Sequence, residues 1–237
     1  YLEHGKQFYE SGHKAPVVVK PILFFYGMVH LIKACLLTTR PDYPESTKIL
    51  AHGVSARKRK KKDYTFMNDE VKIQYNGLFP YFSKHLFSLE NFEKDRIQME
   101  YLLSFIPELQ PLFRNEKNLV KIGCTKSSRL SFPIQVLDGY HINANMFIKR
   151  LEPFTPNILK SNINDSVIQI EMDDPITQSS GPFFIHFDNQ SIFFPTHRDR
   201  FFPISEVMIH YLLLYNLSML SRYEAEWWGD LLATKPD

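Results

Sequence analysis

Cysteine is scarce in this sequence: Cys35 and Cys124 are the only two among 237 residues. Neither belongs to a CxxC pair or to a metal-ligand spacing, which excludes a disulfide scaffold and a zinc ribbon. Two reduced thiols in a cytoplasmic protein are the expectation. Catalytic signature loops are missing too. There is no GxSxG elbow, no Walker A loop, no GxGxxG turn and no HExxH helix, so hydrolase, nucleotide-loop and zincin chemistry find no motif. Asp173 and Asp174 are adjacent; on a strand they point to opposite faces and would not share a metal. No cofactor and no metal are expected. The stretch His197–Arg200, HRDR, looks like a kinase catalytic loop but lacks the downstream Asn and every other kinase element. Local ion pairs near the final helix are expected of it instead.

A long membrane-crossing run is also missing. The longest apolar run, 22–37, contains His30 and Lys33, and reads as too short and too polar for a span. No signal peptide is visible, although the first residue is Tyr1 rather than Met, which leaves a preceding targeting segment open. The sequons at Asn164, Asn189 and Asn216 read as chance matches. Nor is there a general excess of one charge: 28 Lys and Arg face 26 Asp and Glu, a net charge of +2. Without the six consecutive cations from Arg57 to Lys62 the remainder would be mildly acidic. Basic character is therefore local, which argues against a chain that coats a polyanion along its whole surface.

What the sequence has is apolar and aromatic side chains. Hydrophobic residues make up 44 %, with 20 Phe and 12 Tyr, enough for a sizeable core. The pattern predicts an α+β fold. Residues 1–115 read as mainly helical. Pro21 suits the first turn of a helix through PILFFYGMVHLIKACLLTT, whose apolar residues lie almost all round and so predict burial. Gly27 would let another helix approach closely. A short helix follows at PESTKILAHG, stopped by Gly53. DEVKIQYNG reads as a strand with Val71, Ile73 and Tyr75 on one face and an Asn76-Gly77 turn. GLFPYFSKHLF and NFEKDRIQMEYLLSFIPEL have helical spacing, the latter ended by Pro107. Residues 116–203 are β-rich: LVKIG, RLSFPIQVL, SVIQIEM, PFFIHF and SIFFP suggest a small antiparallel sheet, with ANMFIKRL a helix between strands and DNQS a hairpin turn. From 204 the chain is helical again, with Ser205 placed to cap it. The expected organisation is a single domain over 1–237. In it a helical bundle from both chain ends is closed by 204–237 around the β insertion, with residues 21–39 packed on 204–223.

Three groups of residues are candidate sites. The first is the basic loop 56–63, with Arg57, Lys58, Arg59, Lys60, Lys61 and Lys62. Adjacent cations repel unless an anion neutralises them. Phosphates would do so, with salt-sensitive affinity. Tyr64 and Phe66 could stack on bases, and His52 to Ser55 could add a hydrogen-bonding loop. The plainer reading is a solvated loop, or a strip that docks on an acidic protein surface. The second group is Tyr26, His30 and Lys33, a polar stripe on the first apolar helix. It could line a pocket, or be a satisfied core histidine with a lysine reaching outward. The third is His210, Asn216 and Arg222 on the last apolar helix. Arg222 could bind a phosphate or carboxylate, or these residues could form a paired structural network with the first helix.

Five stretches, YLEHGKQFYE, ILFFYGMVHLIKACLL, YPESTKILAHGVSARKRKKK, DEVKIQYNGLF and HYLLLYNLSMLSRYEAEWW, resemble the YaaC-like proteins of firmicute bacteria. The matches span both chain ends in the order of the family. The resemblance implies a bacterial cytoplasmic protein, mostly helical with a β insertion, and supplies no reaction. It also implies a partner, because family members are often encoded beside IMP dehydrogenase. FYGMVHLIKACLL is similar to the Tyr-rich helix of HEPN-type bundles, some of which are ribonucleases with an Arg, four to six residues and a His. That spacing is absent: Arg40–His52, Arg129–His141 and Arg198–His210 have eleven intervening residues and Arg200–His210 has nine. The expectation is a non-enzymatic binding or regulatory protein that engages an anionic partner, nucleic acid foremost. A protein–protein regulator of a purine-synthesis enzyme and a divergent HEPN-like ribonuclease are the alternatives.

Overall fold

A computed structural model describes residues 1–56, 65–92, 94–113 and 118–234. The expected basic loop, Arg57 to Lys62, lies outside the described residues, as does Tyr64. The fold is mixed α+β, helices with small antiparallel sheets. The chain divides into two compact units. One takes Tyr1–Leu102 and the chain from Val207 onward; the other is Leu103–Glu206.

The first unit opens with α1, Leu2–Lys14, and α2, Lys20–Thr39. Pro21 lies in the first turn of α2, where its missing N–H costs nothing. Phe25, Met28, Val29, Ile32 and Leu36 are buried. At 20 residues and mean hydropathy 1.7, α2 is long and apolar enough by composition to cross a membrane, contrary to the reading of 22–37 as too short. Gly27 meets α1: a Cβ there would stand 2.8 Å from the Tyr9 ring and 3.2 Å from Phe8 Cβ. A larger residue would push α1 away.

The expected helix at PESTKILAHG is only a 3-10 turn, Thr47–Leu50. It leads to β1, Val54–Ala56, which pairs antiparallel with β2, Glu70–Ile73. Val71 and Ile73 are buried on β2, but Tyr75 is fully exposed beyond its end. Then α3 runs Leu78–Phe87. The spacing in NFEKDRIQMEYLL misleads. Arg96–Gln98 is strand β3, paired with β2, and only Met99–Leu103 is helical, as α4. Ile97, 2 % exposed, is buried by sheet pairing rather than by a helix face. Pro107 opens a separate 3-10 turn.

In the second unit β4, Leu119–Cys124, and β5, Arg129–Pro133, precede α5, Val136–Tyr140, and α6, Ala144–Leu151. The Asn143 side chain caps α6 by accepting from the Met146 N–H at 3.0 Å. Then follow β6, Ile158–Ile163, β7, Val167–Met172, β8, Phe184–Ile185, and β9, Ser191–Pro195. The strands do not make one sheet. They make two here, in orders β4-β9-β8 and β5-β7-β6, besides β1-β2-β3 in the first unit. β8 and β9 form a hairpin through DNQS, with Gln190 at φ 56°. Alternation on β5 and β7 buries Leu130, Phe132, Ile168, Ile170 and Met172, while Arg129 and Glu171 pair at 3.1 Å in solvent. Phe132 meets Phe147 and Phe194 edge-on. Tyr140, fully buried, donates to the Pro195 carbonyl at 3.1 Å.

The chain returns to the first unit in α7, Glu206–Tyr223, followed by α8, Ala225–Thr234. Phe25 of α2 lies edge-on to Tyr211 and Tyr215 of α7, with ring centroids 5.3 and 5.5 Å apart. The Val18 carbonyl accepts from Ser221 Oγ at 2.6 Å and from Trp228 Nε1 at 3.0 Å.

Candidate functional site

The polar residues of the first unit converge on the loop that ends at His52. Gly53 and Gly77 hold that loop, both at positive φ, +77° and +120°. A Cβ on Gly77 would lie 2.4 Å from the Gly53 backbone, so only glycine allows this approach. The approach seats the loop on the start of α3: Leu78 N–H donates to Ala51 O at 2.7 Å and Phe79 N–H to His52 O at 3.1 Å. Tyr211 Oη donates to the same His52 carbonyl at 2.8 Å.

The His52 ring stands among Phe25, Tyr26 and Tyr215, at centroid distances of 5.0, 6.0 and 5.8 Å. Burial, then the Arg222 and Lys33 cations, hold its pKa below the ordinary value, favouring the neutral imidazole. Arg222 Nε donates to Ser218 O at 3.1 Å, and Nη1 reaches Tyr26 Oη at 3.4 Å. Burial raises the Tyr215 phenol while Arg222 pulls it down. Burial pushes the Tyr211 phenol well above its usual range. The result is a neutral imidazole, a guanidinium and phenols in one place. Such a set can donate to an oxyanion, and carries net positive charge to hold it.

Tyr26 and Arg222 are thus brought together as the sequence suggested. His30 sits one turn on, stacked on Phe8 and edge-on to His4. Its Nδ1 is buried with no hydrogen-bond partner among the described residues. Burial, Lys33 and His4 lower its pKa. Lys33 lies 5.7 Å from the Tyr1 ring centroid, and burial lowers its own pKa. His210, next to Tyr211 on α7, is half-buried.

Asn216 departs from expectation. Its partner is not the stripe of Tyr26, His30 and Lys33. Fully buried, it donates from Nδ2 to Asp69 Oδ2 at 2.8 Å. Asp69, 4 % exposed, also accepts from the Glu70 N–H at 2.9 Å, and its carbonyl accepts from the Met99 N–H at 2.8 Å. Asn216 is therefore a structural tie between α7 and the β1-β2-β3 sheet. The residue that sequence reasoning left out of the pocket is His52. It sits in an aperiodic loop, and the one available signal was the Gly53 that follows it. HRDR forms a 3-10 turn, Arg198–Arg200, in which Arg200 Nη1 donates to Ser104 Oγ. No group of three or more His, Cys, Asp or Glu side chains able to hold a metal occurs among the described residues.

Compared with known proteins, the sequence pattern of the YaaC-like proteins fits residues 1–237, from the first residue to the last. No curated protein matches the chain, and no solved structure does.

Proposed function

The chain belongs to the YaaC-like protein family, and from that premise we propose a cytoplasmic, non-enzymatic protein that binds a polyanion, with nucleic acid as the partner. The basic run Arg57 to Lys62 supplies the charge, and the cluster of Tyr26, His52 and Arg222, with Lys33 nearby, reads a phosphate. In this reading the helices of both chain ends, α1, α2, α7 and α8, form the bundle that carries the cluster.

One observation carries the proposal. The strand β1, only three residues long, is all that separates the Gly53 loop from Arg57. At about 3.3 Å per residue, the main chain from His52 to the first cation spans at most roughly 17 Å. A polyanion whose phosphates repeat at a few ångströms spans that reach. The test is binding of labelled single- and double-stranded DNA and RNA over a salt series. The unaltered protein should bind with a steep salt slope. Replacing Lys58, Arg59, Lys60 and Lys61 by Ala should flatten that slope by about 0.7–0.9 log units for each phosphate no longer neutralised. Absence of salt-dependent binding overturns the reading. An acidic protein surface, such as that of IMP dehydrogenase, then becomes the partner, recovered stoichiometrically from lysate after nuclease treatment.

One further observation favours a second reading, the divergent HEPN-like ribonuclease. Arg222 and His52 are far apart in sequence yet meet at one side chain in the fold, Arg222 Nη1 reaching Tyr26 Oη at 3.4 Å and the Tyr26 ring lying 6.0 Å from the His52 ring, although the local Arg-to-His spacing is absent. Cleavage of RNA that disappears in both His52→Ala and Arg222→Ala would replace binding by catalysis.

A further inference from the structure

The strand β6, Ile158–Ile163, is at the edge of the β5-β7-β6 sheet, and no strand pairs with its outer side among the described residues. The hairpin turn after it decides which of its backbone groups are free. Asn164 N–H donates to the Val167 carbonyl at 3.1 Å. Bonded pairs alternate along an antiparallel ladder, so Asn162 opposite Gln169 and Lys160 opposite Glu171 bond inward to β7. Ser161 and Ile163 therefore direct their N–H and C=O groups away from the sheet. The other side of β7 agrees: Met172 N–H turns to β5 and bonds the Ser128 carbonyl at 2.9 Å, leaving the alternate residues Gln169 and Glu171 for β6.

The side chains of this edge complement themselves. Ile163 lies opposite the buried Ile168 and Ser161 opposite the buried Ile170, so both are on the core side of the sheet, and alternation adds Leu159. Yet Leu159 is 62 % and Ile163 41 % exposed, an apolar strip that the core does not cover. Lys160 and Asn162 are on the solvent side, beside Glu171 and Gln169. A second β6, antiparallel and centred on Ser161, sets Leu159 opposite Ile163 of the other copy, Ser161 opposite Ser161 and Lys160 opposite Asn162. Apolar then meets apolar, and no like charges face one another. Sliding by two residues sets Lys160 against Lys160 in one direction, or Leu159 against Asp165 in the other. Sliding by one residue exchanges the two faces. An edge lysine and a bulge ordinarily discourage pairing. Here Lys160 closes the wrong register, and the bulge between Ile158 and Lys160 ends the pairable edge at Leu159.

We propose that β6 pairs antiparallel with β6 of a second copy of this chain, about a two-fold axis at Ser161, joining two three-stranded sheets edge to edge. The pairable edge, residues 159–163, is much shorter than the roughly 20–30 residues a side of a stable interface, so the dimer is reversible and forms with concentration. Its two-fold symmetry closes it, and it does not grow into fibres. The contact belongs to the second unit and does not depend on the nucleic-acid reading.

The test is sedimentation velocity of the full chain from about 1 µM to about 1 mM. The mean sedimentation coefficient should rise from that of a monomer to that of a dimer and stop there. Ser161→Pro removes an outward N–H and spares the bonds to β7. It should keep the unfolding midpoint while weakening self-association about tenfold or more. Should that variant not fold, charges at the exposed Ser161 give the same answer. Ser161→Lys and Ser161→Glu each place like charges opposite one another at the axis, and an equimolar mixture places opposite ones. The mixture should associate about fivefold or more tightly than either variant alone. A monomer at every concentration overturns the proposal and leaves the edge to a strand from another protein. Growth beyond a dimer overturns it too. So does self-association unchanged in Ser161→Pro, or a mixture that behaves as its separate components.

Discussion

Replacing Asn216 by Leu tests whether the polar group at the centre of α7 is there to hold the fold. The substitution roughly conserves volume, so cavity formation is a small part of its effect. What is lost is the 2.8 Å hydrogen bond from Nδ2 to the Asp69 carboxylate, between residues that are 0 % and 4 % exposed. A bond to a charged group contributes about 1.5–3 kcal/mol. Water cannot replace the donor at that depth, so Asp69 Oδ2 loses a partner in a low-dielectric setting. One effect opposes this. Asn216 Oδ1 is itself buried without a hydrogen-bond partner among the described residues, and its removal relieves about 1 kcal/mol. The expected net destabilisation is about 0.5–2 kcal/mol, read as a lower urea midpoint at unchanged slope. A double-mutant cycle with Asp69→Ala isolates the pair, with an expected coupling of about 1.5–3 kcal/mol. A higher midpoint for Asn216→Leu would refute the structural reading. So would additive effects of the two substitutions, and Asn216 would then be a polar group retained for a ligand.

Two further perturbations probe the loop and the cluster. Gly77→Ala would place a Cβ 2.4 Å from the Gly53 backbone at a φ that L side chains avoid, and should cost about 2–4 kcal/mol; a loss below about 1 kcal/mol by urea unfolding would mean that the close approach does not hold the loop. His52 and His30 both titrate below the ordinary value of 6.5, chiefly through burial, so the unfolded chain takes up their protons first as pH falls. Their contribution to stability is complete above the unfolded value and is lost as pH drops through that value toward the folded ones. The denaturation midpoint should decline from about pH 7 to about pH 5, and the slope should flatten in His52→Gln/His30→Gln; an equally steep decline in the double variant would assign it to other groups.

Much of this fold can be read from local pattern, because local pattern decides it. Pro21 at the start of α2, the alternation of Val71 and Ile73, and the ANMFIKRL pattern of α6 each act within a few residues. What could not be read depends on distant chain. Arg96–Gln98 looks helical in its own window, and only pairing with β2 makes it a strand. β6 pairs with β7 but its residues are mostly exposed, so no burial alternation marks it. The partner of Asn216 is Asp69, 147 positions away, and no periodicity links them. The cluster was half legible. Tyr26 and Arg222 interrupt apolar helices and stand out, whereas His52 is placed by a backbone approach of two glycines that side-chain patterning does not encode.

The split of the first unit around residues 103–206 has a consequence during synthesis. Asp69 leaves the ribosome long before Asn216 exists. At roughly 5–20 residues per second, the 147 positions from Asp69 to Asn216 take about 7–30 s to translate. Through that interval the apolar face of α2 waits without α7, while the second unit, contiguous in the chain, is completed before α7 is made. The half-made first unit therefore presents Phe25 to the nascent-chain environment. A helper that shields apolar segments should associate with the emerging chain until α7 appears, and a stall before residue 207 should leave the second unit protease-resistant and the first exposed.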